Sequence, residues 1–464
     1  MACASLAPSL LARLIDTSHM HASPHPLQIA HDTLLLSLTH TLCSAETGST
    51  IRTGTAMVYI SNAQDASKLI VTAKGGGGEA DDAAAAAAAV VLDLWRQPAK
   101  IPAPFVWPRA DVALPPSSPP TGELDVPVVD LAAALRDAAG MRRAVAQVAA
   151  ACASHGFFQV SGHGVPPSLA RAALDGAAGF FRLPPAAKQR ARRAPGTVTG
   201  YTAAHADRFV DNLPWKETLS FGHRHANAAG NNSSTVADYF STLGDDFKHL
   251  GEVYQEYCEA MEEVTKAIMA VLGESLGVGG GYYREFFEDS SSIMRCNYYP
   301  PCPEPERTLG TGPHCDPSAL TVLLQDGDVD GLQVLVAGAW RPVRPLPGAF
   351  VVNIGDTFMA LTNGRYKSCL HRAVVHREQE RRSLAFFLCP REDRVVRPPA
   401  GAGAGERRLY PDFTWADFMR FTQRHYRADT RTLDAFARWL RPPACSGAAP
   451  VVGPPTTATQ AATV

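Results

Sequence analysis

The stretch GPHCDPSALTVLLQD, residues 312–326, places two potential metal ligands directly before a run of β-forming residues. One residue separates His314 from Asp316, and side chains two positions apart on a strand point to the same face. A second histidine, His371, opens the later run HRAVVH, after enough chain for several strands to return it to the same place. The three residues therefore predict a metal site on a β-rich scaffold.

The sequence around this stretch has the pattern of a β-sandwich or barrel. Short β-forming runs follow one another from residue 291 to residue 390, separated by turns rich in Gly, Asp, Asn and Pro. The runs are IMRCNYY (293–299), ALTVLLQ (319–325), LQVLV (332–336), FVVNI (350–354), HRAVVH (371–376) and RSLAFFL (382–388).

Helical signals lie on both sides of the β-rich region. Residues 139–154 have apolar side chains at helical spacing and are followed by Gly156, a typical C-terminal cap. Residues 246–276 form a longer amphipathic pattern. Thr414, with Asp417 three residues later, predicts the start of a C-terminal helix. Shorter predictions are a strand at LDVPVVDL (124–131), a strand at FFQV (157–160) and a helix opening at Pro166.

The 464-residue chain is predicted to contain four regions. Residues 1–100 carry scattered histidines, a glycine run and an alanine run, and are predicted to be a low-complexity, disordered extension. Residues 101–240 form an N-terminal region, residues 241–442 combine a helix with the β-rich catalytic region, and residues 443–464 form a disordered tail.

Composition limits the possible partners and the cellular setting. The 43 basic and 45 acidic residues give a net charge of −2, which argues against nucleic acid or an anionic membrane as a partner. Ten scattered cysteines without a CxxC pair are typical of reduced thiols in a cytoplasmic protein. No apolar run reaches the roughly 18 residues that a membrane span needs. We expect a cytoplasmic monomer.

The three candidate ligands alone are weak evidence for a metal site, because the pattern HxD often arises by chance. Two imidazoles and one carboxylate nevertheless match non-haem iron(II) oxygenases, where three coordination positions stay open. Arg381 and Ser383 share one face of the next predicted strand, and an arginine fork with a hydroxyl suits a bidentate carboxylate. A dicarboxylate that bridges the iron and Arg381 would explain both features, with Asn297 and Tyr299 as further hydrogen-bonding candidates.

Longer motifs resemble the plant 2-oxoglutarate- and iron(II)-dependent dioxygenases. They are NYYPPCPEP (297–305), GPHCDPSALTVLLQD (312–326), NIGDTFMALTNGRYKSCLHRAVV (353–375) and ERRSLAFFLCP (380–390). The segment LPWKETLSF (213–221) is typical of the branch that oxidises carbon 20 of gibberellin precursors in gibberellin biosynthesis. The resemblance covers about residues 101–442. It implies an α+β fold with a double-stranded β-helix, or jelly-roll, core that is flanked by helices and preceded by a mixed helical and strand region.

The resemblance also implies roles for individual residues. His314, Asp316 and His371 are the expected iron(II) ligands. The expected 2-oxoglutarate-binding residues are Asn297, Tyr299, Arg381 and Ser383, and Arg381 is also counted as catalytic. Dioxygen is the expected cosubstrate, and ascorbate is expected to support activity.

The expected substrate is a diterpenoid acid, which needs an apolar wall and a cation for its carboxylate. Trp215 is the candidate for the wall, and Lys216 or Arg295 for the cation. In the alternative interpretation, Lys216 and Glu217 form a surface ion pair and Arg295 is a structural strand residue.

Three other functions remain open from the sequence. The first is a 2-oxoglutarate oxygenase that acts on a different gibberellin carbon or on a flavonoid, against which LPWKETLSF argues. The second is a catalytically silent jelly-roll protein that binds a small molecule, which would not need all five of the metal and carboxylate residues. The third is a zinc hydrolase, in which Arg381 and Ser383 would have no role.

Overall fold

The computed structural model describes residues 35–40, 54–59, 70–72, 99–112, 122–194, 196–206, 212–225, 235–327, 329–400, 407–425 and 431–441. The chain divides into two units, Met1–Asp82 and Ala83–Val464. In the first unit the strands Leu35–His40, Gly54–Tyr59 and Ile70–Thr72 pair antiparallel, although no strand is predicted there from the sequence. Apart from residues 99 and 100, the rest of the predicted extension lies outside the described residues, as does the tail 443–464.

The second unit is built on an eight-stranded sheet, called the major sheet here. Its strands lie in the order Val128–Asp130, Phe157–Ser161, Phe350–Ile354, Leu320–Gln325, Arg381–Cys389, Ser291–Tyr299, Glu217–Arg224 and Gly200–Ala203. The first pair is parallel and the other pairs are antiparallel. All five residues of Phe350–Ile354 are buried, which explains why this run is continuously apolar apart from Asn353.

A four-stranded sheet, the minor sheet, contains both predicted histidine ligands. Its order is Ala339–Pro342, Leu332–Val336, His371–Ala373 and Thr311–His314, all antiparallel. In this register His371 lies directly opposite His314. The two sheets are the halves of the predicted jelly-roll. A short strand pair, Val395–Val396 with Phe413–Thr414, lies outside them.

The helices surround the sheets, as predicted. They are Arg109–Val112, Leu131–Arg136, Ala138–Ser154, Pro167–Phe181, Pro185–Gln189, Val236–Leu243, Lys248–Leu276, Tyr282–Phe286, Asp356–Leu361, Trp415–His425 and Thr432–Leu440, with 3₁₀ turns at Ala103–Phe105, Asp245–Phe247 and Pro305–Arg307. The predicted cap of the C-terminal helix is confirmed, because the Asp417 backbone N–H donates to Thr414 Oγ1 over 3.2 Å. Gly156, with a φ of 74°, follows the helix that ends at Ser154.

The long helix Lys248–Leu276 joins the helical layer into one core. Its buried face includes Tyr254, Met261 and Ile268, and the Tyr254 hydroxyl donates to the Ala173 carbonyl over 3.1 Å. The helix Pro167–Phe181, which contains Ala173, packs on the major sheet, where Phe181 stacks on Tyr298 with ring centroids 5.5 Å apart. This layer supports the back of the sheet, while the facing side is available for the site. Among the described residues, no helix has the length and apolar character to cross a bilayer.

Candidate active site

The three predicted metal ligands lie together. The donor atoms of His314, Asp316 and His371 all lie within 4.8 Å of one another. Nε2 of His314 is 3.5 Å from Asp316 Oδ1, and Nε2 of His371 is 3.6 Å from Asp316 Oδ2. This is the only such cluster of His, Cys, Asp and Glu donors in the part of the chain that the structure describes.

Both histidine rings are oriented by the backbone. The Nδ1–H of His314 donates to the Gly312 carbonyl over 2.9 Å, and that of His371 donates to the Cys369 carbonyl over 3.2 Å. In the neutral form of each ring this contact places the proton on Nδ1, and Nε2 is the atom directed towards Asp316. A histidine metal ligand is commonly fixed in this way, so the donor set fits an iron(II) ion.

The strand argument used for the HxD pair holds only in part. The minor-sheet strand ends at His314, and Asp316 lies in the loop that follows it. Backbone hydrogen bonds hold the loop, because the N–H groups of Asp356 and Thr357 donate to the carbonyls of Asp316 and Ser318 over 2.8 and 3.2 Å. The carboxylate reaches the histidines through this loop rather than through strand alternation.

The protonation states suit metal binding. Burial lowers the pKa of His371 to about 4, with the adjacent His314 contributing, so the imidazole is neutral near pH 7. Burial alone would raise the pKa of Asp316, but His371, His314 and the Thr321 hydroxyl outweigh it and lower the pKa below the usual range. A neutral imidazole and an ionised carboxylate are the forms that bind a cation.

Arg381 lies inside the molecule beside the other predicted 2-oxoglutarate-binding residues. Its side chain is 3% exposed, and Nη2 donates to Gln325 Oε1 over 2.7 Å while Nε has no hydrogen-bond partner. The guanidinium lies 5.1 Å from the centroid of the Tyr299 ring. Burial lowers the pKa of Arg381, yet the group stays charged, so an anionic ligand would offset the cost of burying it.

The register of the major sheet explains how these residues meet. Tyr299 lies opposite Arg381, and Asn297 lies opposite Ser383, on two adjacent strands. The Asn297 Nδ2 donates to Ser383 Oγ over 3.3 Å. Directly paired residues of antiparallel strands share one face, so all four predicted residues line the same side of the sheet.

A small cavity, the inner cavity, connects Arg381 with the metal cluster. Its volume is about 70 Å³, and its walls come from both sheets. They include all three predicted metal ligands and all four predicted 2-oxoglutarate-binding residues, namely His314, Asp316, His371, Asn297, Tyr299, Arg381 and Ser383.

A larger cavity, the outer cavity, adjoins the metal cluster from the other direction. It measures about 470 Å³, and six of its lining residues also line the inner cavity. These are Lys216, Arg295, Thr311, His314, Asp316 and Phe387. The remaining walls come from the N-terminal region, from strand and loop residues around Ile293, Pro313 and Cys389, and from the C-terminal helix.

Lys216 is not part of a surface ion pair. Its side chain is 4% exposed and donates to Thr311 Oγ1 over 3.0 Å, whereas Glu217 points away and pairs with the buried Lys188 at 2.5 Å. Burial lowers the pKa of Lys216, and the neighbouring Arg295 lowers it further. An anion bound beside Lys216 would favour its charged form.

Arg295 is also directed towards the cavities. Its Nε donates to Ser220 Oγ over 3.1 Å, and its guanidinium lies 5.3 Å from the centroid of the Phe387 ring. It therefore has structural contacts and also lines both cavities. Arg295 can therefore be both a structural strand residue and a candidate cation for the substrate carboxylate.

The prediction that Trp215 forms the substrate wall is wrong. Trp215 is fully buried against Phe105, with ring centroids 5.1 Å apart, and lines neither cavity. Its position one residue before Lys216 is misleading, because the chain bends at Trp215, before the strand that begins at Glu217, so that Lys216 lines the cavities and Trp215 packs in the core.

Three other residues form apolar walls of the outer cavity: Trp107, Trp415 and Met419. Trp107 packs on Gly312, where an added Cβ would lie 2.2 Å from the indole ring. In the sequence, Gly312, two residues before His314, is the signal that another side chain could pack closely at this place. Trp415 and Met419 share a helix face because they are four residues apart.

Family models match two parts of the chain. Residues 290–390 match the 2OG-Fe(II) oxygenase superfamily, and residues 126–238 match a model described as non-haem dioxygenase in morphine synthesis N-terminal. The first match contains all three members of the metal cluster, together with Arg381 and Ser383.

Individual relatives cover most of the chain. It is 71% identical over 362 residues to gibberellin 20 oxidase 2 of Oryza sativa subsp. indica, covering 77% of this chain and 90% of that protein. It is 54% identical over 347 residues to gibberellin 20 oxidase 1 of Arabidopsis thaliana, covering 74% of this chain and 90% of the relative.

Two crystal structures are also similar to this chain. JOX2 in complex with 2OG, Fe and JA has a TM-score of 0.64 and 32% identity, covering 75% of this chain and 97% of the other. A dioxygenase for auxin oxidation in rice has a TM-score of 0.57 and 30% identity, covering 67% and 99%. The chain therefore belongs to the 2OG-Fe(II) oxygenase superfamily and, within it, to the gibberellin 20-oxidase family.

Proposed function

We propose that this enzyme oxidises carbon 20 of gibberellin precursors with 2-oxoglutarate and dioxygen as cosubstrates. One observation carries the proposal for the site: the inner and outer cavities meet at His314, Asp316 and the neighbouring cations. A cosubstrate in one cavity and a diterpenoid acid in the other would both reach the same metal. The 71% identity to a rice gibberellin 20 oxidase supports this substrate class.

In this proposal, His314, Asp316 and His371 hold iron(II), which supplies the oxidising chemistry together with dioxygen. The backbone contacts of both Nδ1 atoms keep each Nε2 available. The neutral His371 and ionised Asp316 need no proton transfer near pH 7 before they bind the ion. Three protein ligands leave three positions open for other groups.

Arg381 and Ser383 bind the far carboxylate of 2-oxoglutarate at the end of the inner cavity. The guanidinium of Arg381 is already held by Gln325 and Tyr299. Binding would therefore cost little side-chain conformational entropy. Tyr299 and Asn297 support the same ligand from the next strand. The site excludes bulk water because these side chains are buried.

The outer cavity binds the gibberellin precursor, with Lys216 or Arg295 facing its carboxylate. Trp107, Trp415 and Met419 would contact the ring system. The volume of about 470 Å³ falls in the range of small-molecule sites. Phe387 lies between the cavities and would separate the two ligands.

Reconstitution and product analysis test the function. The purified protein is loaded with iron(II) under nitrogen, then given 2-oxoglutarate, ascorbate, air and precursors labelled at carbon 20. We expect the alcohol, the aldehyde and a product without carbon 20, each with succinate. Oxidation at another carbon, or turnover only of a flavonoid, would reject the substrate, and absence of succinate would favour a silent binding protein.

Two substitutions test the substrate cations. A hydrogen bond to a charged group contributes about 1.5–3 kcal/mol, so Lys216→Ala or Arg295→Ala should raise the KM for gibberellin roughly 10-fold or more. The KM for 2-oxoglutarate should rise less. Unchanged gibberellin constants in both variants would remove these residues from the substrate site.

We further propose that the enzyme is a cytoplasmic monomer that binds neither nucleic acid nor membranes. The net charge of −2 supports the absence of nucleic acid and anionic membranes as partners, because it gives no general attraction to polyanions. Light scattering at several protein concentrations and cell fractionation provide the tests. A concentration-independent dimer mass or an organelle-bound pool would contradict the respective part.

A further inference from the structure

A pair of polar side chains on the major sheet holds one oxygen of Asp316. The Thr321 Oγ1 donates to Asp316 Oδ2 over 2.5 Å, and the Asn353 Nδ2 donates to the same oxygen over 2.9 Å. All three side chains are at least nine-tenths buried. Hydrogen bonds to an ionised acceptor in such a setting are stronger than those between neutral groups.

The sheet register places the two donors side by side. Thr321 lies directly opposite Asn353 on two neighbouring antiparallel strands, so both side chains emerge from the same face. Asp316 approaches them from its loop, which the Asp356 N–H holds through the Asp316 carbonyl at 2.8 Å. The carboxylate is therefore fixed from the side chain and from the backbone.

The two oxygens of Asp316 consequently have different surroundings. Oδ2 accepts both side-chain hydrogen bonds and lies 3.6 Å from the His371 Nε2, whereas Oδ1 lies 3.5 Å from the His314 Nε2. Because Oδ2 has two donors, Oδ1 is the oxygen left to bind a cation.

We infer that Thr321 and Asn353 are positioning residues that keep Asp316 a single-oxygen ligand. Two imidazoles and one carboxylate oxygen would occupy three of six octahedral positions, and a keto acid would occupy two more. One position would then stay open for dioxygen. A carboxylate that bound through both oxygens would take that position. The inference rests on the proposed role of Asp316 as a metal ligand.

Metal titration of isolated variants tests the inference without relying on turnover. Thr321→Val removes the hydroxyl and keeps the branched shape, Thr321→Ser restores the hydroxyl, and Asn353→Ala removes the amide. Outer contacts to metal ligands commonly change affinity 10- to 100-fold. We expect the Thr321→Val, Asn353→Ala double variant to bind iron(II) about 10- to 100-fold more weakly, with Thr321→Ser near wild type.

The matched control is Thr265→Val, which removes another buried hydroxyl, one that donates to the Glu262 carbonyl within the long helix and lines neither cavity. The visible spectrum of the cobalt(II)-substituted protein should change in the double variant and not in the control, because coordination number alters it. The KM for dioxygen should rise in the double variant.

The outcomes separate the inference from the proposed function. Asp316→Ala should abolish stoichiometric metal binding, and metal binding that survives this change would reject the ligand role itself. If Asp316→Ala loses the metal while the affinity and cobalt spectrum of the Thr321 and Asn353 variants match those of Thr265→Val, the positioning role is wrong. Thr321→Val decides the question if Asn353→Ala fails to fold.

Discussion

The inner and outer cavities share a wall but are built differently. The inner cavity takes its polar residues from paired strands, so Arg381, Tyr299, Ser383 and Asn297 are fixed by sheet register. The outer cavity is lined by strand residues such as Ile293 and Cys389, but it also takes Trp107 and residues of the helix Trp415–His425 from segments outside the sheets. In the proposed function, the sheets would therefore fix the position of the cosubstrate, and the covering segments would contribute to the choice of substrate.

Removing the arginine of the inner cavity should have the largest effect. Truncating one partner of a buried, hydrogen-bonded charge pair costs about 2–5 kcal/mol, or roughly 30-fold or more in affinity. We therefore expect Arg381→Ala to raise the KM for 2-oxoglutarate by at least roughly this factor, with a smaller rise for Arg381→Lys. Steady-state kinetics measures both, and an equal rise in the KM for gibberellin would contradict separate cavities.

Crowding the same arginine should have a smaller effect. A Cβ added at Gly331 would lie 2.7 Å from Cδ and 2.8 Å from Nε of Arg381. Overpacking costs about 1–3 kcal/mol, so Gly331→Ala should weaken 2-oxoglutarate binding about 5-fold or more and lower the Tm. Calorimetry measures binding, and Gly222→Ala, which meets nothing within 4 Å, is the control. Equal behaviour of the two variants would show that Arg381 is free to move.

Trimming the outer cavity should affect the other ligand. A buried methylene contributes about 0.8 kcal/mol, or about fourfold, and Met419 is half-buried in the covering helix. Met419→Ala should raise the KM for gibberellin by about fourfold and leave the KM for 2-oxoglutarate unchanged. Competition kinetics with two precursors would show whether the preference between them also changes. A change confined to 2-oxoglutarate would reverse the assignment of the cavities.

A surface ion pair should affect neither cavity. Arg377 and Glu306 lie 3.1 Å apart with both side chains more than half exposed, and such pairs contribute about 0–1 kcal/mol. Arg377→Ala should leave both KM values within about twofold and shift the Tm little. A large kinetic effect would mean that the sheet transmits surface changes to the inner cavity.

The sequence predicted the inner cavity better than the outer one for a physical reason. Strand period and motif spacing determine which side chains share a face, so His314, His371, Arg381 and Ser383 could be identified before the structure. The position of the Asp316 carboxylate could not be predicted in detail, because Asp316 lies in a loop that is held by backbone hydrogen bonds from residues 356 and 357.

The outer cavity depends on how distant segments pack. Met419 and Trp107 are far apart along the chain, and no periodicity brings them together. Trp215 was misassigned because its neighbour Lys216 faces the cavities and Trp215 faces the core.

The boundaries predicted for the four regions of the chain, including 1–100 and 443–464, stay predictions.

Anaerobic titration with 2-oxoglutarate tests the central claim most directly. The iron(II)-loaded enzyme should bind one 2-oxoglutarate per chain and develop a visible charge-transfer band that neither component gives alone. His371→Ala should lose the band, and Arg381→Ala should retain it only at much higher 2-oxoglutarate concentrations. A 2-oxoglutarate affinity that is the same with and without the metal, and in both variants, would contradict a ligand that bridges the metal and Arg381.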